Sequence, residues 1–232
     1  MPGWTSSRTR ETLWYVYTTE KQARVIQADM QPSAGCYRNS VMSRIVLVRH
    51  GPSAHVAEAR MLDHAALQHW RSAYDAAGIQ SSGIPPDQLI AQAAAAQHLI
   101  ASDMPRAMES ANRIAPGRSI QTSSLLRESP LAIPRWPTRL PLLAWAMVIN
   151  AAWSWRILRG EEVGFAERAR ADDAAEWLAD TVADGSVALV VTHGVFRRLI
   201  AQQLKARGWN YVQRDGGYRP WSSWHLAPAR AV

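Results

Sequence analysis

Cysteine is nearly absent: Cys36 is the only one in 232 residues. No intramolecular disulfide can form, and no cysteine-based zinc site can be built. That usage suits a reducing compartment, and a cytoplasmic location is the expectation. Lysine is almost as scarce. With only Lys21 and Lys205 present, a formal net charge of +7 rests almost wholly on arginine. Arginine stays charged and grips planar anions through paired hydrogen bonds, so an anionic partner is in keeping with the excess. Dense basic blocks are missing, however, and no nucleic-acid partner is expected. Charged residues are few, at 19%, yet hydrophobic residues reach 47%, enough for a sizeable core and too many for wholesale disorder. Seven histidines are present, with His50, His55, His64 and His69 close together. None falls in a His-Glu-x-x-His or comparable spacing, so neither a metal nor another cofactor is expected.

What is present is organised around residues 44–53. Ile45 to Val48 is a short, continuous apolar run, the pattern of a strand buried on both faces of a parallel sheet. It stops at Arg49-His50-Gly51-Pro52, two cationic or ionisable side chains followed by two turn formers. In open α/β sheets, ligands bind at the carboxyl ends of the strands, where Arg49 and His50 would stand. A second such run, Val187 to Val191, leads to Thr192-His193-Gly194. Between them, His98 to Ser102 reads as a short strand followed by a helix that opens at Pro105 and carries Arg106 in its first turn. There, free backbone amides and the helix dipole favour an anion.

The remaining segments supply the frame. Residues 1–41 read as an N-terminal extension, expected to be poorly ordered and without a catalytic role, with the domain spanning 42–232. The apolar stretch at 13–17 is too short for a signal-peptide core. A helical pattern covers 54–77, with Gly78 placed to end it, and Asp87 is a plausible cap for a helix over 88–96. Residues 119–122 form a further short strand, and Glu128 follows Leu125-Leu126 just before a proline turn. Residues 131–160 are an insertion whose Leu140 to Trp155 segment is apolar apart from Asn150 and Ser154. It reads as a Trp- and Ala-rich helix, either a lid or an added hairpin beside the site. Contact with a membrane surface or a protein partner through 136–155 is the alternative. A helix over 165–182 turns Ala169, Ala174, Trp177, Leu178 and Val182 inward. Another runs over 195–207, with Gly208 at its end. The final residues are rich in Gly, Trp and Arg and read as a folded loop region, with 222–226 as an edge strand. Arg214, Tyr218, Arg219 and Trp221 there offer stacking surfaces, with base binding as the alternative.

Arg49-His50-Gly51, Ser102 to Ala107 and His193-Gly194 together, in that order and each at a strand end, resemble the histidine phosphatase superfamily. The resemblance covers about residues 42–208 and implies a phosphoglycerate mutase-like fold, a three-layer α/β/α sandwich with a mostly parallel sheet. It implies a metal-independent phosphomonoesterase in which His50 is the nucleophile. Arg49, Arg106, His193 and Gly194 would bind the phosphoryl group, with His193 as an imidazolium, and Glu128 would serve as general acid and base. Asp103 and Glu109 are further candidates for that acid. The substrate would be a phosphorylated small molecule or a phosphoprotein. Mutases of the family carry an Asn and a Glu-like residue where this sequence has Val56 and Pro52, which favours a phosphatase. A phosphomutase and a non-catalytic phospho-ligand binder are the alternatives.

Overall fold

The computed structural model describes residues 43–55, 61–130, 133–135, 137–158 and 165–229. The expectations for 1–41 and for Val56 fall outside them. The elements in chain order are β1 (Arg44–Arg49), β2 (Met61–Leu62), α1 (His64–Ala76), α2 (Asp87–Ala95), β3 (His98–Ser102), α3 (Pro105–Ile114) and β4 (Gln121–Ser123). A 3-10 turn at Ser124–Leu126 follows, then β5 (Leu140–Pro141), α4 (Leu142–Leu158), α5 (Phe165–Thr181), β6 (Val187–Thr192), α6 (Gly194–Ala206), β7 (Trp209–Asp215) and β8 (Ser223–Pro228).

Six strands form one sheet in the order β4-β3-β6-β1-β8-β7. The first four are mutually parallel, and β8 joins β1 antiparallel. The apolar runs of β1 and β6 are continuous because both faces are covered. Ile45, Leu47, Ala188 and Val190 face one way, against Leu178 and Val182 at the end of α5 and Phe196, Ile200 and Leu204 of α6. Val46, Val48, Leu189 and Val191 face the other, against Leu89 and Ala93 of α2 and Ala107, Ala111 and Ile114 of α3. Burying each isoleucine, leucine or valine side chain of these strands contributes roughly 1.5–3 kcal/mol. The result is the expected three-layer α/β/α sandwich.

Several local expectations are corrected. Residues 222–226 do not form an edge strand: β8 is paired on both sides, to β1 and to β7. The edge on that side is β7, whose Arg and Tyr residues hid it among apparent loop. Arg214 lies 4.7 Å over the Trp224 ring, and Arg197 covers the same ring at 3.9 Å. Cation–π stacking therefore replaces the aliphatic packing by which a strand is usually recognised. Within the 54–77 pattern the helix begins only at His64, where the Asp63 carboxylate accepts from the Ala66 amide at 2.9 Å. Gly78 does not end α1 through a left-handed turn; Ala77 closes it in an extended conformation. Gly78 instead leaves room for the Glu109 carboxylate, which an added Cβ, 2.1 Å from one of its oxygens, would displace. Asp87 is the first residue of α2 and makes no cap bond; Pro86 is the N-cap. On α5, Ala169 is exposed, and the buried stripe runs Ala171, Ala174, Ala175, Leu178, Ala179 and Val182. Gly208, at φ +83°, does terminate α6.

The insertion forms a satellite of the main core. Trp145 and Ile149 of α4 pack with Leu67 of α1, and Leu62, Trp70, Leu140 and Val148 close around them. Trp145 is fully buried and donates its indole N–H to the Leu62 carbonyl at 2.7 Å. A two-stranded ribbon, β2 with β5, ties the insertion to the start of α1. No helix among the described residues is long and apolar enough to cross a membrane.

Candidate active site

In the sheet, Arg49 at the end of β1 lies opposite Thr192 at the end of β6. The residues that follow, His50 and His193, therefore emerge together at the carboxyl ends of the two central strands. Their ring centroids are 5.2 Å apart and their planes are inclined at 57°. Both are almost wholly buried. His50 Nδ1 lies 2.7 Å from the Gly51 carbonyl oxygen. A carbonyl only accepts, so Nδ1 carries the proton and Nε2 the lone pair. Burial is the main force holding the His50 pKa down, to about 3, with the charges of Arg106 and Arg49 adding to it. Neutral imidazole is the nucleophilic form. His193 is lowered as well, by burial first and then by His50, Arg106, Arg71 and Arg49. The protein's own field thus opposes the imidazolium expected of His193; only a bound anion would counter it. His193 Nε2 meets Ser102 Oγ at 2.9 Å, while its Nδ1 is buried with no hydrogen-bond partner among the described residues.

Two guanidinium groups flank the rings. Arg106, fully buried at the start of α3, donates Nε–H to His50 Nε2 at 3.3 Å. Its other nitrogens are held by the end of α1: the Tyr74 carbonyl at 3.1 Å and the Asp75 carboxylate at 3.3 Å, with the Tyr74 ring 4.6 Å from Cζ. Arg49 donates to the Tyr218 carbonyl and keeps a buried Nε without a hydrogen-bond partner among the described residues. Its guanidinium lies against Gly194, where an added Cβ would approach to 3.4 Å. The unpartnered Arg49 Nε and His193 Nδ1 are the kind of buried polar atoms that call for a ligand.

Glu128 caps α6. Its carboxylate accepts from the Phe196 amide at 2.9 Å and the Val195 amide at 3.4 Å, one turn from His193. It also lines a pocket of about 190 Å³ with Trp70, Arg71, Tyr74 and Val195. The other acids are committed elsewhere. Asp103 forms a two-pronged ion pair with Arg127, at 2.6 and 2.7 Å, which holds its pKa below the usual carboxylate range. Glu109 accepts from the Ile79 amide at 2.8 Å.

The family model for the histidine phosphatase superfamily (branch 1) matches residues 45–216, which include both His-Gly strand ends and Arg106. The chain belongs to this superfamily. No curated protein matches it. Among solved structures, the chain is similar to phosphoserine phosphatase from Entamoeba histolytica, at 16% identity over 71% of this chain and 81% of that one (TM-score 0.47). It is also similar to a mycobacterial glucosyl-3-phosphoglycerate phosphatase, at 20% identity over 69% and 81% (TM-score 0.46). A mycobacterial hydrolase is 18% identical over 82% and 92% (TM-score 0.48). At such identities the likeness says nothing of substrate.

The site also holds residues that the motifs did not announce. Arg197, fully buried, donates to the Ser222 carbonyl at 2.7 Å and the Gly217 carbonyl at 3.1 Å, fixing the loop that receives Arg49. Its place among the inward positions 196, 200, 201 and 204 of α6 was the available signal. Trp221 lies across the motif itself: its amide donates to the Arg49 carbonyl at 3.2 Å, and its indole occupies the space beside Gly51. Ser110 accepts from the Gly51 amide at 2.8 Å and donates to the Arg106 carbonyl at 2.6 Å, joining the two motifs. Of the residues considered for base stacking, Trp221 is buried, Tyr218 sets its edge on Trp224 and Arg214 covers Trp224. His55 lies against Trp70 at 5.4 Å.

Proposed function

We propose that the protein is a metal-independent phosphomonoesterase working through a phosphohistidine on His50. The observation that carries this reading is the state of His50. Its Nδ1 proton is anchored on the Gly51 carbonyl, and its Nε2 lone pair lies among Arg106, Arg49 and His193. Phosphoryl transfer needs positioning and charge stabilisation more than covalent help. Incoming phosphoryl oxygens replace His50 as the acceptor for Arg106 Nε–H and satisfy the free Nε of Arg49. That exchange releases the Nε2 lone pair. Nε2 then forms a bond to phosphorus as the ester P–O bond breaks, and the leaving oxygen takes a proton. Glu128 is the proposed donor, from its place beside the same helix terminus. In the second step it accepts a proton from water, whose oxygen attacks phosphorus as the P–N bond breaks and inorganic phosphate leaves. A dianion would raise the pKa of His193 and draw a hydrogen bond from its imidazole. The pocket at Trp70, Arg71 and Tyr74 would take the leaving group of a small phosphorylated metabolite or a phosphorylated side chain.

A brief exposure to a 32P-labelled phosphomonoester should leave acid-labile, alkali-stable label on His50. His50→Ala should lower turnover by about a thousandfold or more. An unlabelled protein, or a His50→Ala variant with wild-type turnover, would end the proposal. Product analysis separates the mutase reading: release of free phosphate supports the esterase, whereas an isomeric phosphate ester does not.

A further inference from the structure

We infer that Ser102 is a positioning residue that holds His193 as a neutral imidazole with its proton on Nδ1, so that His193 offers a bound phosphoryl group an N–H rather than a charge. The tautomer stands on the geometry alone; the use made of it rests on the phosphatase reading above. Ser102 is fully buried at the end of β3. That strand runs beside β6, with Ala101 opposite Val191, which brings Ser102 alongside the His193 ring. A buried hydroxyl has one proton to donate and needs an acceptor for it. Ser102 Oγ already accepts, from the Met104 amide at 3.3 Å. Its other contact of hydrogen-bond length among the described residues is His193 Nε2, at 2.9 Å. Donation there requires a lone pair on Nε2, and the ring proton then sits on Nδ1. With the proton on Nε2 instead, Ser102 Oγ would face two donors and its own hydrogen would lack an acceptor.

The consequence is a buried Nδ1–H with no hydrogen-bond partner among the described residues. Such a donor calls for an acceptor, and a phosphoryl oxygen is one. The arrangement inverts that of His50. There the Nδ1 proton is spent on the Gly51 carbonyl and Nε2 is kept for phosphorus. In His193, Nε2 is spent on Ser102 and Nδ1–H is kept for the phosphoryl oxygens. Burial first, and then the neighbouring His50, Arg106, Arg71 and Arg49, oppose a proton on both nitrogens of His193 at once. A neutral donor meets that constraint and leaves the fixed positive charge of the site to Arg49 and Arg106.

Long-range proton–nitrogen correlation spectra of the 15N-labelled full chain read the tautomer directly, because a ring nitrogen bearing a proton resonates far upfield of one bearing a lone pair. His193 is assigned by the signals lost in His193→Asn. At neutral pH without ligand, wild-type His193 should show a protonated Nδ1 and a lone-pair Nε2. In Ser102→Ala, Nε2 should move upfield as it takes up the proton. Inorganic phosphate should shift the His193 Nδ1–H signal and leave Nε2 with its lone pair. The phosphate Kd from the same titration should rise about tenfold in Ser102→Ala, the loss expected for one hydrogen bond to an anion. A protonated Nε2 in the resting wild type would overturn the inference, as would an unchanged tautomer or an unchanged Kd in Ser102→Ala. So would a phosphate titration that leaves Nδ1 unmoved or protonates both nitrogens. The predicted tautomer and phosphate response without turnover of any phosphomonoester would support the Ser102 assignment and end the phosphatase reading instead.

Discussion

At Gly51 the histidine motif is shaped by a residue 170 positions away. A Cβ at Gly51 would lie 2.3 Å from the Trp221 ring, well inside contact distance. Trp221 cannot easily retreat, because its backbone is held at φ +64°, a conformation costly for a bulky residue, and its amide is bonded to the Arg49 and His50 carbonyls. Gly51→Ala should therefore displace either the indole or the loop that presents His50. The expected cost is about 1–3 kcal/mol of stability, typical of overpacking, together with a larger loss of turnover. Trp221→Ala opens the same space. If the indole is what Gly51 accommodates, Gly51→Ala should cost measurably less in the Trp221→Ala background, and a double-mutant cycle from urea midpoints would read the difference. Additive effects would mean that Gly51 serves only its own backbone. Nothing in the local sequence pairs these residues; the contact arises because β8 lies beside β1 and brings the preceding loop over its end.

At the scale of elements, legibility follows the source of each element's stability. β1, β3 and β6 are readable because burial on both faces demands unbroken apolar runs, and those runs end where His50, Ser102 and His193 stand. Helix α3 is readable because Pro105 sits at its first turn. β7 is not, because Trp209 and Tyr211 are its contribution to the apolar core, Arg214 stacks on aromatic rings, and a register shift between Tyr211 and Gln213 breaks its alternation. Nor does sequence reveal that Arg106 is gripped by the end of α1, a contact between elements far apart in the chain. Glu128 belongs to this scale too. Its carboxylate satisfies amides at the start of α6, which has no side-chain cap of its own. Capping and proton transfer make separable predictions for Glu128→Gln. The amide retains an accepting oxygen, so the helix should lose only about 0.5–1 kcal/mol. Proton donation is lost outright, which penalises esters of poorly acidic alcohols. Turnover of an alkyl phosphate should fall by about a hundredfold or more, while p-nitrophenyl phosphate, whose leaving group needs no proton, should be hydrolysed at a rate close to wild type. Equal losses on both substrates would leave Glu128 with the cap alone.

For the whole molecule, the two central imidazoles couple the site to global stability. Both strands end inside the layers, so His50 and His193 are desolvated, and their folded pKa values lie below the roughly 6.5 of an unfolded histidine. The unfolded chain therefore binds protons first as pH falls. Stability conferred by excluding those protons is fully present above about pH 6.5 and is lost progressively below it, down towards pH 3 for His50. Each histidine should contribute a slope of about 1.4 kcal/mol per pH unit within that window. His225 shifts in the same direction, opposed by Asp215. Carboxylates such as Asp103, held below their ordinary range, begin to contribute only nearer pH 4. Urea midpoints measured between pH 7 and 4.5 therefore isolate the histidines. The unfolding free energy should fall steeply over that interval, and His50→Asn and His193→Asn should each flatten the fall by about one proton's worth of slope. A slope indifferent to both central substitutions would mean that the folded rings take up protons as readily as unfolded ones, and that burial does not keep the His50 lone pair free below about pH 6.5.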